Sequence, residues 1–223
     1  MVSSDIGGKF KTRTNLILFH FRSIPNVFAS GHIHEKGIDF LQSRGVCHRD
    51  LSLENILVHN ENSLIIDMGM CLRIPYTADP QNPNATTDVT RGSMRRLMRP
   101  DGTCGKHNYM SPEVFANNEA FDGFAIDLWS VGVILYIMLT GFPPYDQASL
   151  ADPRFEVIVS GRLVDQLHEW GVRLSDDIGN LLQNMLQLDP RNRLTLEQIA
   201  RHPWVMFGDV HPPAERAQPW NNA

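Results

Sequence analysis

The chain has little cysteine: Cys47, Cys71 and Cys104 are the only three among 223 residues, and no CxxC or Cys/His pattern accompanies them. This excludes a disulfide framework and a zinc site of ordinary ligand spacing, and it suits a reducing compartment. A basic excess is lacking too. With 20 Lys and Arg against 25 Asp and Glu the formal net charge is -5, and the pI is near 6.0, so bulk electrostatics offers nothing to a nucleic acid or an anionic membrane surface. The longest apolar run, Ile126 to Leu139, is interrupted by Asp127, Ser130 and Gly132, and it falls short of the roughly 18 to 20 residues of a bilayer span. It reads as a buried helix. Near the start, Lys9, Lys11 and Arg13 precede only the short run Leu16 to Phe21, which holds His20 and makes a poor secretory leader. With no targeting signal, cytoplasm or nucleus is the default location.

What is present is enough hydrophobic residue, 42%, to form a real core. No internal repeat divides the chain, so one domain over 26–207 is the simplest reading. Residues 1–25 show no sustained period and are left as an unassigned N-terminal segment. The end, 208–223, rich in Pro, Asn and Ala from Pro212 onward, reads as a flexible tail. Ile38 and Leu41 at helical spacing, followed by Gly45, predict a helix over Gly37 to Arg44 that delivers the chain to His48. Two short apolar runs, Ile56 to Val58 and Leu64 to Ile66, flank the turn-rich stretch His59 to Asn62 and predict a hairpin. A hairpin folds back on itself, so Asn55 at its entry and Asp67 at its exit become neighbours. Farther on, Ile126 to Thr140 is apolar almost all round, Ser175 opens a stripe of Ile178, Leu181, Leu182, Met185 and Leu186, and Thr195 with Gln198 fits a capping box. The fold class expected is mainly α with one small β-hairpin.

Six ordered motifs then carry a resemblance. Cys47 to Asn55 reads C-H-R-D-L-S-L-E-N, Asp67 to Gly69 reads D-M-G, and Gly105 to Glu113 reads G-K-H-N-Y-M-S-P-E. Asp127 to Gly132 reads D-L-W-S-V-G and Leu139 to Tyr145 reads L-T-G-F-P-P-Y. Asp189 to Arg193 (D-P-R-N-R) stands shortly before His202-Pro203-Trp204. In this order the motifs resemble the larger, C-terminal lobe of a eukaryotic-type protein kinase, of Ser/Thr and calcium/calmodulin-kinase-like kind.

The resemblance implies ATP and Mg2+ as cofactors and a protein or peptide as the partner that is phosphorylated. It makes Asp50 the acceptor of the substrate hydroxyl proton, and Asn55 and Asp67 the magnesium ligands. His48 and Arg49 become structural members of the catalytic loop, Leu57 a floor residue of the adenine pocket, and Asp127 the tie of the loop backbone. Arg193 is expected to pair with Glu113. Read without the resemblance, Glu113 and Arg193 are two separate charges, and Asp127 would serve equally as a helix N-cap.

Some positions depart from the family's pattern. Where Ser/Thr kinases carry Lys, two residues after the catalytic Asp, this chain has Ser52; where they carry Thr after the activation-segment Gly, it has Lys106. Against the family's pattern the two are exchanged, and Lys106 is expected to reach the transferring phosphate from the opposite strand of the site, which makes both positions catalytic candidates. The stretch from Asp67 to Glu113 is long and turn-rich, with a basic patch of Arg91, Arg95, Arg96 and Arg99. Thr103 is a candidate phosphosite whose phosphate would pair with Arg49. Glu54 would suit a basic peptide residue, but Ile137 stands where basophilic kinases carry a second acid, so no basic consensus is expected. No G-x-G-x-x-G and no V-A-I-K-like string occurs, and 47 residues precede His48, roughly half of what a small lobe needs. The small lobe is therefore expected to be missing. The alternative to an enzyme is then a catalytically inactive scaffold or decoy, with a partner covering the exposed face.

Overall fold

The computed structural model describes residues 37–59, 62–77, 79, 81–82, 85–87 and 94–207. The unassigned segment 1–25 and the tail 208–223 lie outside them. Helix α1, Ile38–Ser43, buries Ile38 and Leu41. It closes on Gly45, whose N–H bonds the Gln42 carbonyl at 2.9 Å with φ +68, a conformation that glycine adopts without steric cost. Strand β1, Val46–Cys47, leads into the H-R-D stretch, and a 3-10 turn over Leu53–Asn55 follows.

Strand β2, Ile56–His59, pairs antiparallel with β3, Asn62–Ile65, in a register from Ile56↔Ile65 to His59↔Asn62. The pairing runs farther than the composition suggests, because His59 and Asn62 join the ladder through their main chains whatever their side-chain preference. Strand β4, Leu72–Arg73, returns to pair with β1 and sets Leu72 opposite Cys47. The stretch read from sequence only as a long, turn-rich loop contains a three-stranded antiparallel sheet. Its members are β5 (Tyr76–Thr77), β6 (Ala85–Thr87) and β7 (Met94–Arg96), in the order β5-β7-β6.

From Pro112 onward the described elements are helical: α2 (Pro112–Ala116), α3 (Gly123–Thr140), α4 (Pro153–Val159), α5 (Leu163–Glu169), α6 (Asp176–Met185), α7 (Leu196–Ala200) and α8 (Pro203–Phe207). Helix α3 is the axle. All of its residues are buried, as an all-round apolar helix requires. By length and composition alone it would cross a membrane, yet here it forms the centre of the core. Asp122 caps its start by accepting from Phe124 N–H at 3.0 Å. A Cβ on Gly132 would lie 2.9 Å from Leu186 and 3.2 Å from Met185, so the missing side chain lets α6 pack directly on α3.

The Trp129 indole N–H donates to the Tyr145 hydroxyl at 2.6 Å, and that hydroxyl donates to the Met110 carbonyl at 3.0 Å. Both aromatic heads thereby find the polar partner that burial demands. Thr195 and Gln198 form the reciprocal capping box at α7. The main core gathers around Trp129, Leu135, Tyr145, Phe155 and Leu181. A second, smaller core joins Cys47, Ile74, Met98, Met110, Val114, Phe121, Phe124 and Ile126.

Candidate active site

The site rests first on backbone. The carboxylate of Asp127, 2% exposed, accepts from the His48 N–H at 2.6 Å and the Arg49 N–H at 2.8 Å. The tie holds Arg49 at φ 71, a left-handed conformation that non-glycine residues rarely keep without support. Burial pushes the Asp127 carboxyl up, to about 7, against the opposing pull of the two amide donors. Next, His48 Nδ1 accepts from the Asp50 N–H at 3.3 Å. Its Nε2 therefore carries the hydrogen that meets the Ile66 carbonyl at 3.0 Å, and the buried ring spans from the loop to the residue before Asp67.

Asn55 donates through Nδ2 to the Asp50 carbonyl at 2.8 Å and to Asp50 Oδ2 at 3.2 Å. Both partners are acceptors, so the amide orientation is forced and the Asn55 side-chain oxygen is the end left to face a cation. Ile66 N–H donates to the Asn55 carbonyl at 2.9 Å, which sets Asp67 on the same edge as Asn55. Asp67 itself is exposed, at φ 63, and Oδ1 takes only a long 3.4 Å bond from Gly69 N–H. Among the described residues no three His, Cys, Asp or Glu form a metal cage. Magnesium is commonly held by one or two protein oxygens with phosphates and water completing the shell, so Asn55 and Asp67 fit it.

Asp50 Oδ1 is buried and, among the described residues, has no hydrogen-bond partner. A Cβ on Gly105, at φ +88, would lie 3.2 Å from that oxygen and 2.9 Å from the Arg49 carbonyl. Gly105→Ala is therefore expected to cost ~1–3 kcal/mol from backbone strain and crowding together, read as a lowered midpoint in chemical denaturation. An unchanged midpoint would mean that the chain does not approach Asp50 this closely.

Lys106 Nζ donates to the buried Ser52 hydroxyl at 2.7 Å and lies 3.6 Å from Glu54 Oε2. The structure thus brings the exchanged pair together and sets Glu54 beside an ammonium. Leu57 is 52% exposed and pairs across the hairpin with Leu64, 62% exposed. Met68, Met70 and Leu72 are exposed as well. Thr103 is exposed beside Cys104, whose thiol contacts the Arg49 carbonyl at 3.9 Å. Burial raises the pKa of all three thiols, so none is primed as a nucleophile.

Glu113 and Arg193 meet in a two-pronged ion pair of 2.7 and 3.1 Å. Arg193 also donates to the Ala125 carbonyl at 2.8 Å and the Gln187 carbonyl at 3.1 Å, and its guanidinium stands 4.9 Å over the Trp129 ring. The basic patch is not a unit. Arg96 and Arg99 are exposed and Arg91 lies outside the described residues, whereas Arg95 turns inward to Asp122 at 2.7 Å. Sequence reasoning missed that pair, and no local signal in Met94-Arg95-Arg96 marks it. It also missed Ser130, whose hydroxyl donates to the Tyr109 carbonyl at 2.9 Å; an oxygen in an otherwise apolar helix face was the available sign.

The sequence matches the family described as "Protein kinase domain" over residues 29–205. It is 32% identical over 169 residues, 75% of this chain, to serine/threonine-protein kinase CHK1 of Mycosarcoma maydis, of which that stretch is 22%. It is 31% identical over 181 residues, 79% of this chain, to CBL-interacting protein kinase 20 of Oryza sativa subsp. japonica, of which it spans 34%. A serine/threonine-protein kinase SIK3 homolog of Danio rerio is 33% identical over 178 residues, 79% of this chain and 13% of that protein. The chain thus spans about a third or less of the length of these relatives. With most of its length inside the match, from α1 through Arg193 and into α8, the chain belongs to the eukaryotic-type Ser/Thr protein kinase family.

Proposed function

We propose that this chain is the larger-lobe part of a Ser/Thr protein kinase, transferring the γ-phosphate of ATP to Ser or Thr hydroxyls of protein substrates. The observation that carries the reading is the buried, unpartnered Asp50 Oδ1 beside an edge that holds Asn55 and Asp67. The substrate hydroxyl oxygen attacks the γ-phosphorus, its proton passes to Asp50, and the bond to the β-phosphate oxygen breaks to leave ADP. Asn55 and Asp67 would hold magnesium, which would supply charge neutralisation at the phosphates. Leu57, exposed on the hairpin, would floor the adenine pocket.

Lys106, steadied by Ser52, places an ammonium where phosphate charge is transferred. Phosphoryl transfer depends on positioned charge more than on covalent help, so the strand from which the cation comes matters less than where it ends. Lys106→Ala in the longest native form of the protein is expected to lower turnover of γ-labelled ATP with a Ser/Thr peptide mixture by about a hundredfold or more, with the unfolding midpoint nearly unchanged. Full turnover in that variant would remove Lys106 from the mechanism. No magnesium-dependent transfer in the unaltered protein would defeat the enzyme reading itself.

A second reading, a scaffold that binds partners without transfer, is favoured by the exposed apolar side chains of Leu57, Leu64, Met68, Met70 and Leu72. Exposed apolar side chains of this size suit a covering lobe or a protein partner. Thr103 is proposed as a phosphosite whose phosphate would contact Arg49, whose Nε is buried and, among the described residues, without a hydrogen-bond partner. Cytoplasmic or nuclear residence is proposed with it. Since Lys106 already neighbours Glu54, the reading carries no preference for basic peptides.

A further inference from the structure

The smaller core has an unusual make-up: it joins the segment between Asp67 and Glu113 to residues at and just before the start of α3, with Cys47 and Val114 beside them. Ile74, Met98 and Met110 come from the first, Phe121, Phe124 and Ile126 from the second, and Cys47 joins them from the strand before His48. The fit is tight at Gly123, where a Cβ would fall within 2.4 Å of Ile74 and 2.9 Å of both Cys47 and Met98. Backbone bonds add to it. Met98 N–H donates to the Phe121 carbonyl at 2.8 Å, and Phe121 N–H returns the bond at 3.0 Å.

Arg95 closes this seat. Its guanidinium pairs with Asp122 at 2.7 Å with side chains 12% and 14% exposed, and it lies 4.7 Å over the Phe124 ring. Asp122 meanwhile caps α3 through its other oxygen. Five residues on, Asp127 holds the His48 and Arg49 amides. A partly desolvated arginine with a carboxylate and an aromatic face is held far more firmly than an exposed pair, because neither charge has full access to water.

We infer that Arg95 is a positioning residue that docks the stretch Met94 to Met98 of the activation segment onto the start of α3 by built-in contacts, so that this stretch is ordered without a phosphate. The docking reaches the catalytic loop through α3, whose N-cap is Asp122 and whose second turn carries Asp127. A phosphate at Thr103 would then add a tether to a segment already seated. This inference goes beyond the kinase reading and does not depend on it, since its readout is amide exchange and not turnover.

The experiment is deuterium exchange on phosphatase-treated protein, followed at amides 94–98, 121–126 and 48–50, with those of 178–185 in α6 as a folding control. In the unaltered protein the first three groups are expected to stay protected, with or without phosphatase. Arg95→Met is expected to speed their exchange by roughly tenfold to a hundredfold while α6 stays protected. Arg95→Lys should restore part of the protection. Asp122→Asn keeps a capping oxygen but loses the charge, so it should mimic Arg95→Met, and the double variant should be no worse than either single one. The inference is overturned by unprotected amides 94–98 in the dephosphorylated protein, by unchanged exchange in Arg95→Met, by additive effects in the double variant, or by loss of α6 protection in step with the rest.

Discussion

Arg193→Met is expected to lower the unfolding free energy by about 3 to 5 kcal/mol, a fall of roughly 10 °C in the thermal midpoint of a chain this size. The guanidinium is 1% exposed and satisfies two Glu113 oxygens and two backbone carbonyls at once. Methionine fills much of the volume but supplies no donor. It therefore leaves a carboxylate, 12% exposed, and the Ala125 and Gln187 carbonyls without their partner in a region of low dielectric. Removing one member of a buried pair costs more than the pair ever contributed, because the remaining charge cannot return to water. Glu113→Gln, which keeps the shape and one acceptor, should cost clearly less. Circular dichroism melts of the three proteins decide the matter. A shift below about 1 kcal/mol for Arg193→Met would mean that the segment ending at Glu113 is not fastened to the helical half through this pair.

Asp50→Asn is expected to act in the opposite sense on stability and far more strongly on chemistry. The Asp50 carboxylate holds one buried oxygen with no donor, an arrangement that costs folding energy and keeps a proton acceptor ready. An asparagine there keeps an oxygen for the Asn55 amide and removes the charge. Its amide hydrogens meet a region that already contains the Arg49 carbonyl, which Gly105 approaches from the other side. Turnover in the longest native form should fall by about 10²- to 10⁴-fold, the usual range for loss of a positioned acid or base, with stability equal or slightly raised. A drop in both together would point to a structural role for Asp50. Unchanged turnover would mean that the proton leaves by another route.

Much of this arrangement is legible in the sequence where short-range chemistry sets it. The convergence of Asn55 and Asp67 follows from two apolar runs and the turn between them, and the α7 capping box follows from the Thr195 and Gln198 spacing alone. The partnership of Glu113 with Arg193 is different. The two residues are 80 apart, and only motif order suggests that they meet. The sheet β5-β7-β6 was not legible. Its strands are two or three residues long, too short to show alternation, and their pairing is decided by main-chain bonds that carry no sequence signature. Arg95 was hidden for a related reason: in Met94-Arg95-Arg96 two adjacent arginines look alike, and only the pleat of β7 sends one toward Asp122 while its neighbour faces water.

The contact between Lys106 and Ser52 has a consequence for how such a site can change over generations. A lysine at position 52 while Lys106 remains would set two ammonium groups against each other in a half-buried space, and the loss of Lys106 first would leave the buried Ser52 hydroxyl without its ammonium donor. Either single step passes through a worse molecule, so the two positions are locked into one inherited unit. Lineages that share this exchange are expected to descend from one double replacement, with a small hydroxyl residue at 52 wherever a lysine stands at 106.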